Sequence, residues 1–259
     1  LNEITGTKHY NNKSEFLDLS DLLNDPKDIK SNLLDYINGF SKNIKDVFDK
    51  FRFNDEINKL DEKGILWKTI EHFVKYEEKL SKYDNHDMGT VYEELIRKAN
   101  EDSAATAGQY FTPRDIVSVL TAITFSPDVS KILKDPATRR LIYDPAAGTG
   151  GMLTESLKFL QDNISKDIKI GLAGQESEDK IFAVCKSDLM MRGIDPKNVQ
   201  SGNTLTDEDC FSNNKFDYIL SNPPYGSKWK DFEEEIKNEK NKPNTRYPCK
   251  LPGIGDSSL

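Results

Sequence analysis

The stretch Leu141-Ile142-Tyr143-Asp144-Pro145-Ala146-Ala147-Gly148-Thr149-Gly150-Gly151 reads as a short buried strand that runs into a glycine-rich turn and then into a helix. Gly148 and Gly150 allow the backbone to turn tightly and to approach a ligand closely. A helix starting at about Gly151 presents N–H groups that have no partner within the helix. The turn is not a Walker loop, because no Lys-Ser or Lys-Thr follows the glycines. A diphosphate ligand is therefore less favoured than one presenting a sulfonium and an amino acid.

Working outward, the second half of the chain alternates strand and helix. Residues 170–173 (Ile-Gly-Leu-Ala) form a strand, 179–191 a helix and 216–220 (Phe-Asp-Tyr-Ile-Leu) another strand. Ahead of the glycine turn, Thr112-Pro113 opens a helix with Pro at its first position and Ile116, Val117, Leu120 and Ile123 as its apolar residues. The pattern predicts an α/β fold with a doubly wound, Rossmann-like parallel sheet. Ligands in such a sheet bind at the carboxyl ends of the strands, where the strand order reverses.

The first half is different. From residue 14 to about 101 apolar residues recur at helical spacing, as in Leu33, Leu34, Ile37 and Phe40, or Ile44, Val47, Phe48 and Phe51 behind Ser41 as a candidate N-cap. The organisation predicted is a helical N-terminal domain over 1–104 and a sheet-bearing domain over 105–259. Three or four strands are few for such a sheet, so the chain reads as truncated at both ends. Residues 228–250 carry seven basic and five acidic side chains with Pro243 and Pro248, and read as a long exposed loop holding at most one short helix.

The 259 residues carry a net charge of −8, which argues against a protein that coats nucleic acid through a broad basic face. Twenty-five aromatics (2 Trp, 10 Tyr, 13 Phe) argue against wholesale disorder. No apolar run is long enough for a membrane span, and no signal peptide is visible. Three cysteines in no CxxC pair exclude a disulfide framework and fit a reducing cytoplasm; three scattered histidines make a metal site unexpected.

Two further positions carry chemistry. Glu176 ends the second strand 25 residues after Gly151, where an acidic side chain accepts both hydroxyls of a ribose. Beyond the strand at 216–220 stands Ser221-Asn222-Pro223-Pro224-Tyr225. Two prolines make an exposed, rigid turn whose preceding carbonyls cannot be absorbed into a ladder. Asn222 offers a side-chain acceptor, Pro223 a fixed carbonyl and Tyr225 a ring. Two acceptors and a stacking plane suit the exocyclic amine of a flipped base.

In this order the motifs resemble those of S-adenosylmethionine-dependent methyltransferases acting on adenine in DNA, and more narrowly the modification subunit of type I restriction–modification enzymes. The likeness rests on Gly108-Gln109-Tyr110-Phe111-Thr112-Pro113-Arg114, on residues 144–153, on Gly174-Gln175-Glu176, on Leu189-Met190-Met191-Arg192-Gly193, and on Asn222-Pro223-Pro224-Tyr225-Gly226. A Phe-Thr-Pro segment ahead of the glycine turn is similar to the gamma order of these enzymes. The resemblance implies that Gln109, Tyr110, Phe111, Thr112, Pro113 and Arg114 cover the methionine end of S-adenosylmethionine. It implies that Thr149, Gly150 and Gly151 line the amino-acid moiety, with Asp144 orienting it, and that Glu176 holds the ribose. Asn203 stands where many relatives have Asp, at a position touching cofactor or base. Asn222, Pro223, Pro224 and Tyr225 are implied as the catalytic turn that receives adenine for methylation at N6.

The partners implied are double-stranded DNA, a specificity subunit, a second modification subunit and, in the full complex, a restriction subunit, with no membrane. Alternative readings are a self-contained or nuclease-fused type II adenine methyltransferase, a catalytically silent scaffold, and a small-molecule or RNA methyltransferase. The intact Asn222–Tyr225 turn speaks against the scaffold, and the absence of a recognisable target-recognition or nuclease motif in these residues speaks against the self-contained enzyme.

Overall fold

The computed structural model describes residues 18–102, 112–135, 139–166, 168–206, 209–224, 229–243, 245–249 and 251. These fall into two compact units. One runs to Ala99 and also takes in Lys186–Lys197; the other holds the remaining described residues.

The first unit is helical. A 3-10 turn at Leu19–Asn24 precedes α1 (Ile29–Asn38), α2 (Lys42–Lys50), α3 (Phe53–Glu62), α4 (Leu66–Leu80) and all but the last three residues of α5 (Asn85–Asp102). Leu22, Ile29, Leu33, Ile37, Ile57, Leu66 and Ile70 make its core, at the i, i+4 spacing that puts one face of each helix inward. Gly64 ends α3 at φ +66°, a conformation that glycine adopts without strain. Ser41 stands at the N-cap of α2, but its hydroxyl donates to Asn43 Oδ1 at 2.6 Å instead of accepting a helix N–H.

The second unit holds the sheet. In chain order it comprises α6 (Arg114–Phe125), α7 (Val129–Lys134), β1 (Arg140–Asp144), α8 (Gly151–Asn163), β2 (Ile170–Glu176), the first half of α9 (Asp179–Met191), β3 (Val199–Ser201), β4 (Tyr218–Ile219) and α10 (Glu233–Lys240). All strands are parallel, in the order β3-β2-β1-β4. Chain order reverses between β1 and β4, so this α/β sheet is doubly wound with its switch point there. β4 pairs over two residues, and its flanks continue as single bonds, Asp217 N–H to Leu141 O (3.0 Å) and Leu220 N–H to Tyr143 O (3.1 Å).

Helix α6 buries Val117, Thr121 and Phe125 and packs against α8, which turns Leu153 and Leu160 inward. Phe125 meets Tyr218 edge-on at 4.7 Å between ring centroids, and on the opposite face of the sheet Tyr143 stacks on Phe216 at 4.4 Å. Pro113, expected as the first helical residue, lies instead at the N-cap of α6, one position before Arg114, with φ −53° and ψ 136°. The extended ψ and the hydrogen bonds from the N–H groups of Ile116 and Val117 to its carbonyl make it the flanking residue.

The expected exposed loop at 228–250 is corrected by the structure. Trp229 is buried, α10 buries Ile236 completely, and Glu239 is buried as well. The segment is anchored because its few apolar residues point into the unit and because Arg246 and Tyr247 bond to the loop beyond β3.

Candidate active site

The carboxyl end of β1 delivers Asp144, which is 1% exposed. Its Oδ1 accepts from Ala146 N–H at 3.0 Å. Burial pushes the Asp144 carboxyl up to about 7, against the lowering effect of the Ala146 bond and with a further rise from the nearby Glu176 charge. The turn then closes on itself through Gly150 N–H to Ala147 O (2.8 Å) and is pinned to β2 through Ala147 N–H to Gln175 O (2.9 Å). Gly150 caps α8 at φ +90°, and a methyl group placed on it would stand 2.9 Å from Cys185 Sγ. Gly151, one residue on, would meet nothing within 4 Å. The first turn of α8 thus leaves open space beside Gly151.

β2 ends at Glu176, buried to 8% exposure. Its Oε2 accepts from Gly148 N–H (2.9 Å) and its Oε1 from Glu178 N–H (2.8 Å). Each carboxylate oxygen accepts one of these bonds and has capacity for another, so the group is oriented and still able to receive two hydroxyls. Gly202 N–H bonds to the Glu176 carbonyl at 3.0 Å, which places the loop after β3 beside it. In that loop Asn203 Oδ1 accepts from Leu205 N–H (3.0 Å), and Thr204 Oγ1 donates to Pro145 O (2.6 Å). Asn203 is therefore tied, through its neighbour, to the glycine turn.

β4 delivers the third group. With Leu220 held to Tyr143, Asn222 leaves the sheet beside Asp144, on the other side of the switch point. Asn222 is exposed, and its Nδ2 donates to Thr112 Oγ1 at 3.0 Å. The structure thus brings Thr112, Asp144, Gly150, Gly151, Glu176, Asn203 and Asn222 to the carboxyl end of one sheet, with Thr149 in the glycine turn, Pro223 and Pro224 following Asn222, and Pro113 and Arg114 following Thr112 at the start of α6. Gln109, Tyr110, Phe111 and Tyr225 lie outside the described residues. Among the described residues no group of three or more His, Cys, Asp or Glu side chains is arranged to hold a metal ion. No helix among them is long and apolar enough to cross a membrane.

Sequence reasoning missed one set of residues. Arg246 forks onto Glu239 through Nε (2.6 Å) and Nη2 (2.5 Å), and Nη1 reaches Asp209 Oδ2 (2.6 Å). The same guanidinium donates to the carbonyls of Thr204 (2.8 Å) and Thr206 (3.1 Å), and Tyr247 Oη donates to Leu205 O (2.7 Å). These bonds strap the Asn203 loop down. The side chain of Glu239 bonds Arg246, which lowers its carboxyl below the ordinary range despite some desolvation. The available sequence signal was Trp229 and Ile236, two apolar residues in a charged stretch, which mark a buried side.

The model of the N-6 DNA Methylase family matches residues 83–252, about two thirds of the chain. The chain is 27% identical over 201 residues to the type I restriction enzyme EcoEI methylase subunit of Escherichia coli, covering 75% of this chain and 38% of that one. It is 29% identical over 151 residues to the type I restriction enzyme MpnII methylase subunit of Mycoplasma pneumoniae, covering 55% and 26%. The chain therefore spans less than half the length of these relatives. In fold it is similar to the type I restriction-modification system methyltransferase subunit of Streptococcus thermophilus, with a TM-score of 0.58, 18% identity, and 86% of this chain and 48% of that one covered. It is also similar to a Listeria monocytogenes protein described as a class I S-adenosylmethionine-dependent methyltransferase, with a TM-score of 0.52, 16% identity, and 99% and 67% covered.

Proposed function

This chain belongs to the N-6 DNA methylase family, and from that premise we propose that it supplies the catalytic domain of the modification subunit of a type I restriction–modification enzyme. The reaction proposed is methylation of the N6 amine of an adenine flipped out of double-stranded DNA. The observation that supports it most is the meeting of the glycine turn, Glu176 and Asn222 at the carboxyl end of one sheet, beside its switch point.

When bound, S-adenosylmethionine supplies a methyl carbon that the amine lone pair takes up as the carbon–sulfur bond breaks, the electron pair leaving with sulfur and one amine proton passing to solvent. The residues fit that cofactor. Glu176 keeps acceptor capacity for two ribose hydroxyls, and the open space at Gly151 gives the amino-acid moiety close access to the backbone. Thr149 and Gly150 complete that wall, Asp144 orients the amino-acid end, Asn203 lies on the loop beside Glu176, and sequence resemblance assigns residues 109–114 to the methionine end.

The amine of adenine is a poor nucleophile because its lone pair is delocalised into the ring. Acceptance of its N–H groups by Asn222 Oδ1 and the Pro223 carbonyl favours the pyramidal form, with Pro224 stiffening the turn and Tyr225 stacking on the base. Positioning of this kind supplies much of an enzyme's rate advantage.

Flipping a base costs a few kcal/mol, and phosphate neutralisation dominates non-specific DNA affinity. A chain of net charge −8 is poorly equipped for both. We therefore assign those contacts to a specificity subunit and a second modification subunit, with a restriction subunit joining the complete enzyme. The test is transfer of a tritiated methyl group to DNA by the modification subunit, with and without its specificity subunit. Methylation at one DNA site only in the complex, abolished by Asn222→Ala with cofactor binding preserved, is the expected result. Sequence-specific methylation without the specificity subunit overturns the subunit reading, and full activity of Asn222→Ala overturns the catalytic assignment.

A further inference from the structure

The hydrogen bond from Asn222 Nδ2 to Thr112 Oγ1, 3.0 Å long, joins residues 110 positions apart. A carboxamide has one accepting end and one donating end. The catalysis proposed above needs the accepting end at the target amine, because an amine N–H facing the Nδ2 hydrogens finds no acceptor. The terminal torsion of an asparagine is broad and roughly two-fold, so the side chain by itself does not choose between the two presentations. Thr112 holds the side chain in place, accepting from Nδ2 and leaving Oδ1 at the other end.

Both partners stand on restricted backbone. Thr112 precedes a proline, which confines it to extended conformations, and the helix that follows is anchored by Val117 and Phe125 at 1% and 0% exposure. Asn222 lies between Leu220, bonded to β1, and the fixed φ angles of Pro223 and Pro224.

We propose that Thr112 is a positioning residue that anchors the Asn222 carboxamide through Nδ2, in the presentation that leaves Oδ1 facing the target amine. The inference rests on the reading of Asn222 as the acceptor for that amine. It also differs from the role that sequence resemblance implies for Thr112, which is to cover the methionine end of the cofactor. The two roles separate kinetically. A residue that holds cofactor changes its dissociation constant and KM, whereas one that orients Asn222 changes kcat.

The experiment compares Thr112→Val, Thr112→Ser and Asn222→Ala in the full modification subunit assembled with its specificity subunit. It measures kcat, KM for S-adenosylmethionine, the cofactor dissociation constant by calorimetry, and Tm. Valine keeps the shape of threonine without the acceptor, and serine keeps the acceptor. Loss of one orienting hydrogen bond predicts that Thr112→Val lowers kcat several-fold, up to about tenfold, with cofactor affinity changed by less than about twofold. Thr112→Ser should stay within about threefold of the parent, and Thr112→Val should add nothing to the defect of Asn222→Ala, as expected for two residues acting as one unit.

An unchanged kcat in Thr112→Val, an equal loss in Thr112→Val and Thr112→Ser, or a loss confined to cofactor affinity overturns the proposal. If Asn222→Ala itself is fully active, the reading of Asn222 has failed. If Asn222→Ala is inactive and Thr112→Val is not impaired, only the proposal about Thr112 has failed.

Discussion

The backbone N–H of Gly148 donates to Glu176 Oε2 at 2.9 Å, so the glycine turn after β1 holds the carboxylate that ends β2. Gly148 reaches this position at φ +54°, in the left-handed region that side chains disfavour. With the other oxygen held by Glu178 N–H, the carboxylate is oriented by the backbone alone, and no second side chain is needed to aim it. A ligand that bonds to both oxygens therefore meets a rotamer already fixed, which spares the ordering entropy that binding otherwise costs.

That arrangement makes Glu176 a sensitive probe of the cofactor site. Glu176→Ala leaves the Gly148 and Glu178 N–H groups without their acceptor and removes the two ribose contacts proposed for it. We expect S-adenosylmethionine affinity to fall by about 1–3 kcal/mol, the usual effect of losing hydrogen bonds to a charged group. Glu176→Gln keeps one accepting oxygen and should lie between the two. Calorimetry decides, and parent-like affinity in Glu176→Ala removes Glu176 from the site.

Asp144 gives a pH dependence of definite sign. Its carboxyl, ordinarily near 3.8, is pushed up to about 7 chiefly by burial. Between these values the folded chain holds a proton that the unfolded chain has released, so stability falls as pH rises across that window. The slope for one proton is at most about 1.4 kcal/mol per pH unit. Asp144→Asn keeps an acceptor for Ala146 N–H and removes the titration. Denaturant unfolding of the parent and Asp144→Asn at pH 5 and pH 7.5 should show the parent losing stability relative to the variant at the higher pH. A difference independent of pH sinks this assignment.

The part of the site built on β1, the glycine turn and β2 was legible in the sequence because each piece has a local cause. An apolar strand, glycines where the chain must turn, and a helix at 3.6 spacing are all readable within a few residues, and the helix expected over 179–191 is the one observed. β3 was not legible, because Val199–Ser201 contains one apolar residue and shows no period. The run 216–220 overstated β4, whose ladder covers only Tyr218–Ile219. Residues 228–250 were misread because composition counts charges without saying which of them pair. Arg246 meets a carboxylate 7 residues before it and another 37 residues before it, and no spacing rule connects those positions.

Arg246 should accordingly matter for the loop that carries Asn203. Arg246→Ala deletes two ion pairs and two bonds to backbone carbonyls, and leaves Glu239 and Asp209 facing each other without their shared cation. Truncating a partly buried, charge-assisted network predicts a stability loss of about 1.5–3 kcal/mol, with weaker cofactor binding as the Asn203 loop loosens. Arg246→Lys restores the charge but not the fork, so it should recover only part of the loss. Chemical denaturation and calorimetry test both effects. Arg246→Ala with parent stability and parent affinity denies the strap any role.

The sharpest separation of fold from function lies in two adjacent glycines. Gly150 has φ +90° and its missing side chain would stand 2.9 Å from Cys185 Sγ, a buried neighbour with little room to move. Gly150→Ala therefore combines a disfavoured backbone with a steric contact and should destabilise the chain by about 1–3 kcal/mol. Gly151 is the first residue of α8, and a methyl group there meets nothing within 4 Å. Alanine is the better helix former by roughly 1 kcal/mol, so Gly151→Ala should be neutral or slightly stabilising. On the reading proposed above its cost falls on the ligand instead, because the methyl group would occupy the space assigned to the cofactor's amino-acid end. The expected pair of results is a lowered Tm for Gly150→Ala and an unchanged or raised Tm for Gly151→Ala, with S-adenosylmethionine binding weakened at least about fivefold in Gly151→Ala, as overpacking of 1–3 kcal/mol predicts. Parent-like cofactor binding by a stable Gly151→Ala protein removes the bare first turn of α8 from the binding site.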